Sequence, residues 1–384
     1  MRIFFLSTSM GMGGADQQIL TLARAMRARH HDVRIVALAP LGQMGLEAQG
    51  EGIPTESLEL RRCIGDIPRV LRLVRMIRDW RPDVLHSHLV HANLLARVIR
   101  PFTRVPALVS TIHSINDGGR LRMAAYRLTS GLVDRVTLIS RLAAAHYLAI
   151  GAVPQRLLEI VPNAVDTDRF RHLPQARTAV RRELGLEREF AWLAVGRFEE
   201  AKDYPTMVAA FARLAADNPG SRLLLVGKGS LQDQVEQLVR VAGLEERVRF
   251  LGVRRDVPEI MSAADGYLLS SAWEGMPVVL LEAASVGLPV VATRVGGVAE
   301  VVEDGVTGFL APPADPVALA NAMTRIQALA PEARAAMSAR ARALVEQEYG
   351  TARVMEMWER LYSELAPAPE ARRPGTGTPA GIAV

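Results

Sequence analysis

Lysine is nearly missing from this chain: of 46 basic side chains only two are lysines, Lys202 and Lys228, and the rest are arginine. A drift toward arginine that complete makes the two survivors positions to watch. Cysteine is scarcer still. A single residue, Cys63, excludes any intrachain disulfide framework and fits a reducing, cytoplasmic setting. Long apolar runs are lacking as well: the opening "MRIFFLSTSM" is too short for a secretory signal or a membrane span, and no uncharged apolar stretch of spanning length follows. Aromatic residues make up 5% and do not interleave with basic ones, so a nucleic-acid partner is not expected. What remains is 384 residues, 49% hydrophobic and 23% charged, the composition of a globular chain long enough for two cores.

The charge is unevenly spread. Residues 1–170 hold 22 arginines against 14 acids, whereas the remainder holds 24 basic and 27 acidic residues. A basic first half suits an anionic membrane or an anionic lipid-linked substrate, and a solvated arginine surface equally. In "IPRVLRLVRMIRDWRP", Arg69, Arg72, Arg75 and Arg78 flank an apolar stripe, as in a helix lying on a membrane or one covering a sheet.

Short β-rich runs alternate with helical periodicity. "RIFFLS", "DVRIVAL", "DVLHSH", "ALVSTIH" and "VTLIS" read as one series of strands, and "FAWLAVG", "RLLLVG", "VRFLG", "GYLLSS" and "LPVVAT" as a second. Helical stretches such as "ADQQILTLARAMRARH" and "YPTMVAAFARLAAD" lie between them, which implies parallel sheets covered on both faces. Two series predict two Rossmann-like domains: residues 1–170, and residues 171–350. A final helical segment, 351–365, is expected to cross back to the first domain, and the Pro-, Ala- and Gly-rich tail 366–384 to be disordered. Ligands of parallel α/β sheets bind beyond the carboxyl ends of the strands, so the cleft between the domains is the expected site.

Three loops at strand ends carry candidate phosphate contacts. In "STSMGMGGADQQ", Gly13 and Gly14 open a helix and would let backbone amides approach an anion, although Asp16 breaks the G-x-G-x-x-G pattern. "VGRFEEAKDYP" places Arg197 and Lys202 after a strand, where they would grip a phosphate or pair with Glu199 and Glu200. "LVGKGS" places Lys228 in the same way.

The most informative stretch is "WEGMPVVLLEAASVGLPVVAT". It is almost wholly apolar apart from Glu274 and Glu282, and buried carboxylates need partners. Pro277 suits a first helical turn, predicting a helix from Pro277 to Val286 that stops at Gly287 and offers its N-terminal amides beside Glu274. Eight residues on one helix would separate the two carboxylates by roughly 12 Å in height, fitting two parts of one extended ligand. Sugar and ribose hydroxyls are good partners for groups that only accept.

Here "EGMPVVLLE" matches the E-x7-E motif of retaining GT-B glycosyltransferases, and the chain resembles glycosyltransferase family 4. "GMGGADQQ", "STIHS", "VPNAVDTDRF", "VGRFEEAKDYP", "LVGKGS" and "VGGVAEVVEDGVTGFL" agree in order over residues 2–365, with Ala164 standing where the family usually has Gly. The resemblance implies two Rossmann-like domains facing across a deep cleft and metal-independent transfer of a hexose or N-acetylhexosamine, with retention, from a nucleotide-sugar, most often a UDP-sugar. The acceptor implied is a hydroxyl of a glycan or polyprenyl-linked glycan, in bacterial polysaccharide or glycoconjugate assembly, with possible peripheral contact with the inner face of the membrane. By the same resemblance Arg197 and Lys202 hold the diphosphate, Gly13 and Gly14 approach it, and Glu274, Gly275, Met276 and Pro277 bind the donor sugar. Glu282 takes the ribose, and His113 reaches the transferred sugar. Glu274 and His113 are then the catalytic candidates. "DTD" at Asp166–Asp168 falls in the interdomain segment and reads as structural, and His86, His88 and His91 lack a nearby carboxylate, so no bound metal is expected. A sugar-nucleotide epimerase and a catalytically inert scaffold on the same fold are the rival readings.

Overall fold

The computed structural model describes residues 1–60, 66–115 and 118–366. Cys63 and most of the Pro-rich tail lie outside the described residues. The chain forms two parallel sheets. The first has seven strands, β1 (Arg2–Ser7), β2 (Asp32–Ala37), β3 (Thr55–Ser57), β4 (Val84–His88), β5 (Ala107–Ile112), β6 (Arg135–Leu138) and β7 (Leu158–Ile160). Their spatial order is β3-β2-β1-β4-β5-β6-β7. The second has six, β8 (Phe190–Val195), β9 (Ser221–Val226), β10 (Val248–Gly252), β11 (Gly266–Leu269), β12 (Val290–Thr293) and β13 (Gly308–Ala311), ordered β10-β9-β8-β11-β12-β13. The strands most evident in the sequence are buried on both faces: Ile3 to Leu6 and Ala107 to Val109 are fully covered. Three strands that sequence reasoning does not find, β3, β7 and β13, are edge strands of three or four residues.

Strand order reverses between β1 and β4 in one sheet and between β8 and β11 in the other. Such switch points open a crevice at the strands' carboxyl ends. The loops after β1, β8 and β11 and the ends of β4 and β5 carry nearly all the residues singled out above, so topology alone gathers them.

The chain passes between the sheets twice. It leaves the first after β7 and returns at Gly350, and the two crossings touch: Val165 N–H donates to the Tyr349 carbonyl at 2.9 Å, and Thr351 N–H to the Val165 carbonyl at 3.0 Å. The helix Thr351–Leu365 then lays Val354, Met355, Trp358, Leu361 and Tyr362 into the core that holds Ile3, Phe5 and Ile35 of the first sheet. The helix Ile67–Trp80 buries Leu73 and Ile77, while Arg69 pairs with Asp66 and Arg72 with Glu56. No helix among the described residues is long and apolar enough to cross a membrane.

Candidate functional site

A cleft of about 1360 Å³ lies between the two sheets. It is lined by Gly13, Gly14 and His113 from the first domain and by Arg197, Lys202, Glu274, Gly275, Met276, Pro277 and Glu282 from the second. Every candidate residue named from the sequence reaches this one space.

The helix on the second wall runs Val278–Val286, with Pro277 as its N-cap and Gly287 ending it in the left-handed conformation, φ 86°. Glu274 therefore sits in the loop ahead of the helix, and the expected separation of two carboxylates along one helix does not apply. That loop is tied down through its carbonyls. Gly297 N–H donates to the Gly275 carbonyl at 2.7 Å, and Asn163 Nδ2 to the Met276 carbonyl at 2.8 Å. The amides of Gly275, Met276, Val278 and Val279 have no acceptor among the described residues, so a cluster of free donors faces the cleft at a helix N-terminus. Two glycines are required here by space. A Cβ on Gly296, at φ +50°, would fall 1.8 Å from the Glu274 carbonyl oxygen. One on Gly275 would fall 2.5 Å from the carbonyl oxygen of His113, across the cleft.

The sequence left both carboxylates in need of partners outside the chain; in the structure the protein supplies them. Glu274 Oε1 accepts from Lys202 Nζ at 2.5 Å and from Ser271 Oγ at 2.7 Å. Glu282, only 3% exposed, accepts from Gln17 Nε2 at 2.5 Å, a bond from the first domain. Burial pushes the Glu282 carboxyl up to about 7, against the opposing pull of the Gln17 bond and the Arg169 charge. Arg197 pairs with Glu199 at 2.7 Å, the local ion pair weighed against a phosphate role, and both side chains are well exposed. Lys228 and Arg255 line the cleft, are exposed, and have no ionic partner among the described residues.

On the first wall, the helix Gly14–Ala28 begins beside the Val278–Val286 helix: a Cβ on Gly14 would touch Val278 Cγ2 at 3.6 Å. Two helix N-termini thus meet at the cleft. Asp16 caps the first, accepting from Gly13 N–H at 3.1 Å and from Ser9 Oγ at 2.9 Å, so the Gly13 amide is already engaged. The next turn carries Gln17 toward Glu282 and Gln18 toward the interdomain segment. Gln18 donates to the Ala164 carbonyl at 2.8 Å and accepts from its amide at 2.7 Å. Ala164 is buried and is not among the residues with positive φ, so a side chain there meets no backbone strain. Asp166 Oδ1 accepts from the amides of Asp168 and Arg169 at 3.1 and 3.0 Å, a local turn, as expected of a structural "DTD".

His113 follows β5, and burial lowers its pKa to about 4, so the ring is neutral near neutral pH. Its Nε2 lies 3.0 Å from His88 Nδ1. His86 has both ring nitrogens engaged, with Tyr362 Oη at 2.7 Å and Thr111 Oγ1 at 2.6 Å, and is not free to ligate. Among the described residues no group of three His, Cys, Asp or Glu side chains is placed to hold a metal. Gln17, Asn163 and Arg255 are cleft residues that sequence reasoning missed. Gln17 alone had a local signal, one turn into a helix that opens on glycines.

Two parallel sheets whose carboxyl ends face each other across a polar cleft define the GT-B class of glycosyltransferase. The pattern of Glycosyltransferase Family 4 matches residues 12–169, and that of Glycosyl transferases group 1 matches residues 189–328. A D-inositol 3-phosphate glycosyltransferase of Actinosynnema mirum is 30% identical over 366 residues, covering 86% of this chain and 87% of its own. The UDP-Gal:alpha-D-GlcNAc-diphosphoundecaprenol alpha-1,3-galactosyltransferase of Escherichia coli is 28% identical over 275 residues, covering 68% and 71%. Among solved structures, HepE of Anabaena in complex with UDP superposes with a TM-score of 0.84 at 26% identity, over 95% of this chain and 100% of that one. This chain belongs to glycosyltransferase family 4 and is a glycosyltransferase.

Proposed function

We propose that the protein transfers a hexose or N-acetylhexosamine, with retention and without a metal, from a UDP-sugar to a hydroxyl of a glycan or lipid-linked glycan. The observation that carries this reading is the convergence on one cleft of free amides, cations, and one buried and one part-buried carboxylate, with a neutral histidine from the opposite domain. HepE, described with UDP and with UDP-glucose, supports uridine as the base. The galactosyltransferase relative, named for UDP-Gal and a diphosphoundecaprenol-linked sugar, supports a lipid-linked acceptor.

In this reading the partners now holding the site are exchanged for ligand. The diphosphate draws Lys202 from Glu274 and Arg197 from Glu199, and takes the amides at the head of the Val278–Val286 helix. Glu274, released, accepts from donor-sugar hydroxyls, and the ribose diol replaces Gln17 on Glu282. Cations and helix dipole stabilise the departing diphosphate, the electrostatic contribution a metal makes elsewhere. The bond from the anomeric carbon to the phosphate oxygen breaks as the acceptor oxygen bonds to the same face. The acceptor proton passes to the diphosphate.

A basic, apolar surface on the first domain supports a lipid-linked acceptor. Leu121 (88% exposed), Leu128 (84%) and Phe102 (64%) stand on two neighbouring helices alongside Arg104, Arg120 and Arg127, and the two leucines are barer than Ile67 (65%) and Leu71 (57%) of the arginine-striped helix. Peripheral contact with an anionic membrane would then use this face.

A thermal-shift panel of UDP, GDP, ADP and their sugars, run in EDTA, tests the reading. A ligand at a hundred times its dissociation constant stabilises by about 2.7 kcal/mol. A shift with UDP that is lost in Glu282→Ala and Lys202→Ala is expected. No shift with any nucleotide in the intact protein refutes the proposal and favours an inert scaffold.

A further inference from the structure

Below the cleft floor, β4 and β5 bring three histidines together, and two of them are incompletely satisfied. His86 is locked by Tyr362 of the returning helix and by Thr111, which in turn contacts Thr137 Oγ1 at 2.6 Å. His88 is 2% exposed, with its ring 4.0 Å from that of His86 and 5.7 Å from that of Phe5 between centroids. Its Nδ1 meets His113 Nε2 at 3.0 Å. The other nitrogens of that pair, His88 Nε2 and His113 Nδ1, are both buried without a partner.

One proton lies between two neutral rings, and its position decides what His113 offers. With the proton on His113 Nε2, His113 has a bare Nδ1, and His88 must bury an Nε2–H among the rings of Phe5 and His86. With the proton on His88 Nδ1, the unsatisfied N–H moves to His113, which lines the cleft, and His88 keeps only an unsatisfied lone pair. A buried N–H without an acceptor is the rarer orphan. The second arrangement moves it from a residue enclosed by rings to the one that borders the cleft, where a turn of the His113 ring on ligand binding would bring the buried Nδ1–H to an acceptor.

We propose that His88 is a positioning residue for His113: donating from Nδ1 to His113 Nε2, it fixes the tautomer that carries its proton on Nδ1. His113 then meets the transferred sugar as a hydrogen-bond donor and not as a base. This use of the donor rests on the function proposed above; the tautomer itself does not. The tautomer of a histidine is set by the bond its other nitrogen makes.

Long-range proton–nitrogen correlations on the nitrogen-15-histidine-labelled full chain, assigned with His113→Gln, read the tautomer without any ligand. The intact protein and His88→Asn, whose side-chain amide replaces Nδ1–H, are expected to show His113 protonated on Nδ1. His88→Leu is expected to show a mixture, with a cooperative melt confirming that it is folded. Protonation of His113 on Nε2 in the intact protein, or an unchanged tautomer in His88→Leu, overturns the proposal. In transfer assays with the UDP-sugar found by the panel above, His88→Leu should lower kcat about tenfold, the worth of one hydrogen bond, with KM little changed and with recovery in His88→Asn. An unchanged kcat beside a shifted tautomer overturns the donor role alone. Absence of transfer by the intact protein would fault the functional reading and leave the tautomer result standing.

Discussion

Gln17 and Glu282, 265 positions apart, are joined by a 2.5 Å hydrogen bond from the first domain to the second. The carboxylate that the sequence suggests for a ribose is held, before ligand arrives, by an amide that copies a ribose hydroxyl in donating to it. Burial raises the pKa of that carboxyl to about 7, so under the proposed role its proton and the nucleotide would compete.

Nucleotide affinity is therefore expected to depend on pH through Glu282. With its pKa at about 7, the accepting form is lost as pH falls, and affinity for UDP should weaken by up to tenfold per unit below that point. Titrations by calorimetry at pH 6 and pH 8 would show it. An equal pH dependence in Glu282→Gln would assign the effect to another group.

The same shift has a consequence for stability. The folded carboxyl, at about 7, holds its proton more tightly than the unfolded one at 4.5. Stability is therefore complete below the lower value, falls as pH rises between the two, and is level above. The loss is about 3 kcal/mol in order of magnitude. Urea melts of the protein and of Glu282→Gln should diverge between pH 5 and pH 8, with the variant gaining relative stability at the higher pH. Parallel curves would mean that the carboxyl is not strained by burial.

Lys202 and Glu274, with side chains 19% and 14% exposed, form the second internal substitution for ligand. Lys202→Ala should destabilise by about 3 kcal/mol, because it leaves a largely buried carboxylate unpaired, and the double change with Glu274→Ala should cost less than the sum. Binding should separate the two. Lys202→Ala loses affinity for UDP itself, whereas Glu274→Ala keeps UDP and loses the added affinity of the sugar. Equal losses of UDP in both variants would contradict the division of roles.

Gly275→Ala tests the approach of the domains. Its new methyl group would meet the His113 carbonyl, and neither backbone can give way cheaply. A stability loss on the order of 1–3 kcal/mol is expected, together with a UDP shift that no longer grows when the sugar is attached. A variant that binds UDP-sugar as tightly as the parent protein would show that the wall at Gly275 is not needed.

For the membrane face, Leu121→Glu with Leu128→Glu should abolish sedimentation with phosphatidylglycerol vesicles and leave UDP binding intact. Sedimentation that survives both changes would move the contact elsewhere.

The strands long enough to show a pattern, the helix behind Glu274 and the gathering of residues at strand ends were legible, because each rests on local spacing or on the fixed handedness of parallel sheets. Pairings were not. Lys202 with Glu274, Asn163 with the Met276 carbonyl and Gln18 with Ala164 join positions 72, 113 and 146 apart, and nothing in the neighbourhood of any of them announces the other. The 12 Å separation of the carboxylates failed for a simpler reason: it treated both as helical, although Glu274 precedes Pro277, where the helix was expected to begin and where the structure places its cap.

The two crossings between the domains run side by side, bonded to each other through Val165, Tyr349 and Thr351. A single strand between two bodies lets them bend, twist and slide; a laced pair acts as a flat hinge, which bends easily about one axis and resists torsion. Beside it, Asn163 grips the loop of Glu274 and Ala164 grips the helix of Gln17. Opening the cleft is thereby geared to the loops of both carboxylates at once, so that under the proposed function the sugar and the ribose would be released in one stroke.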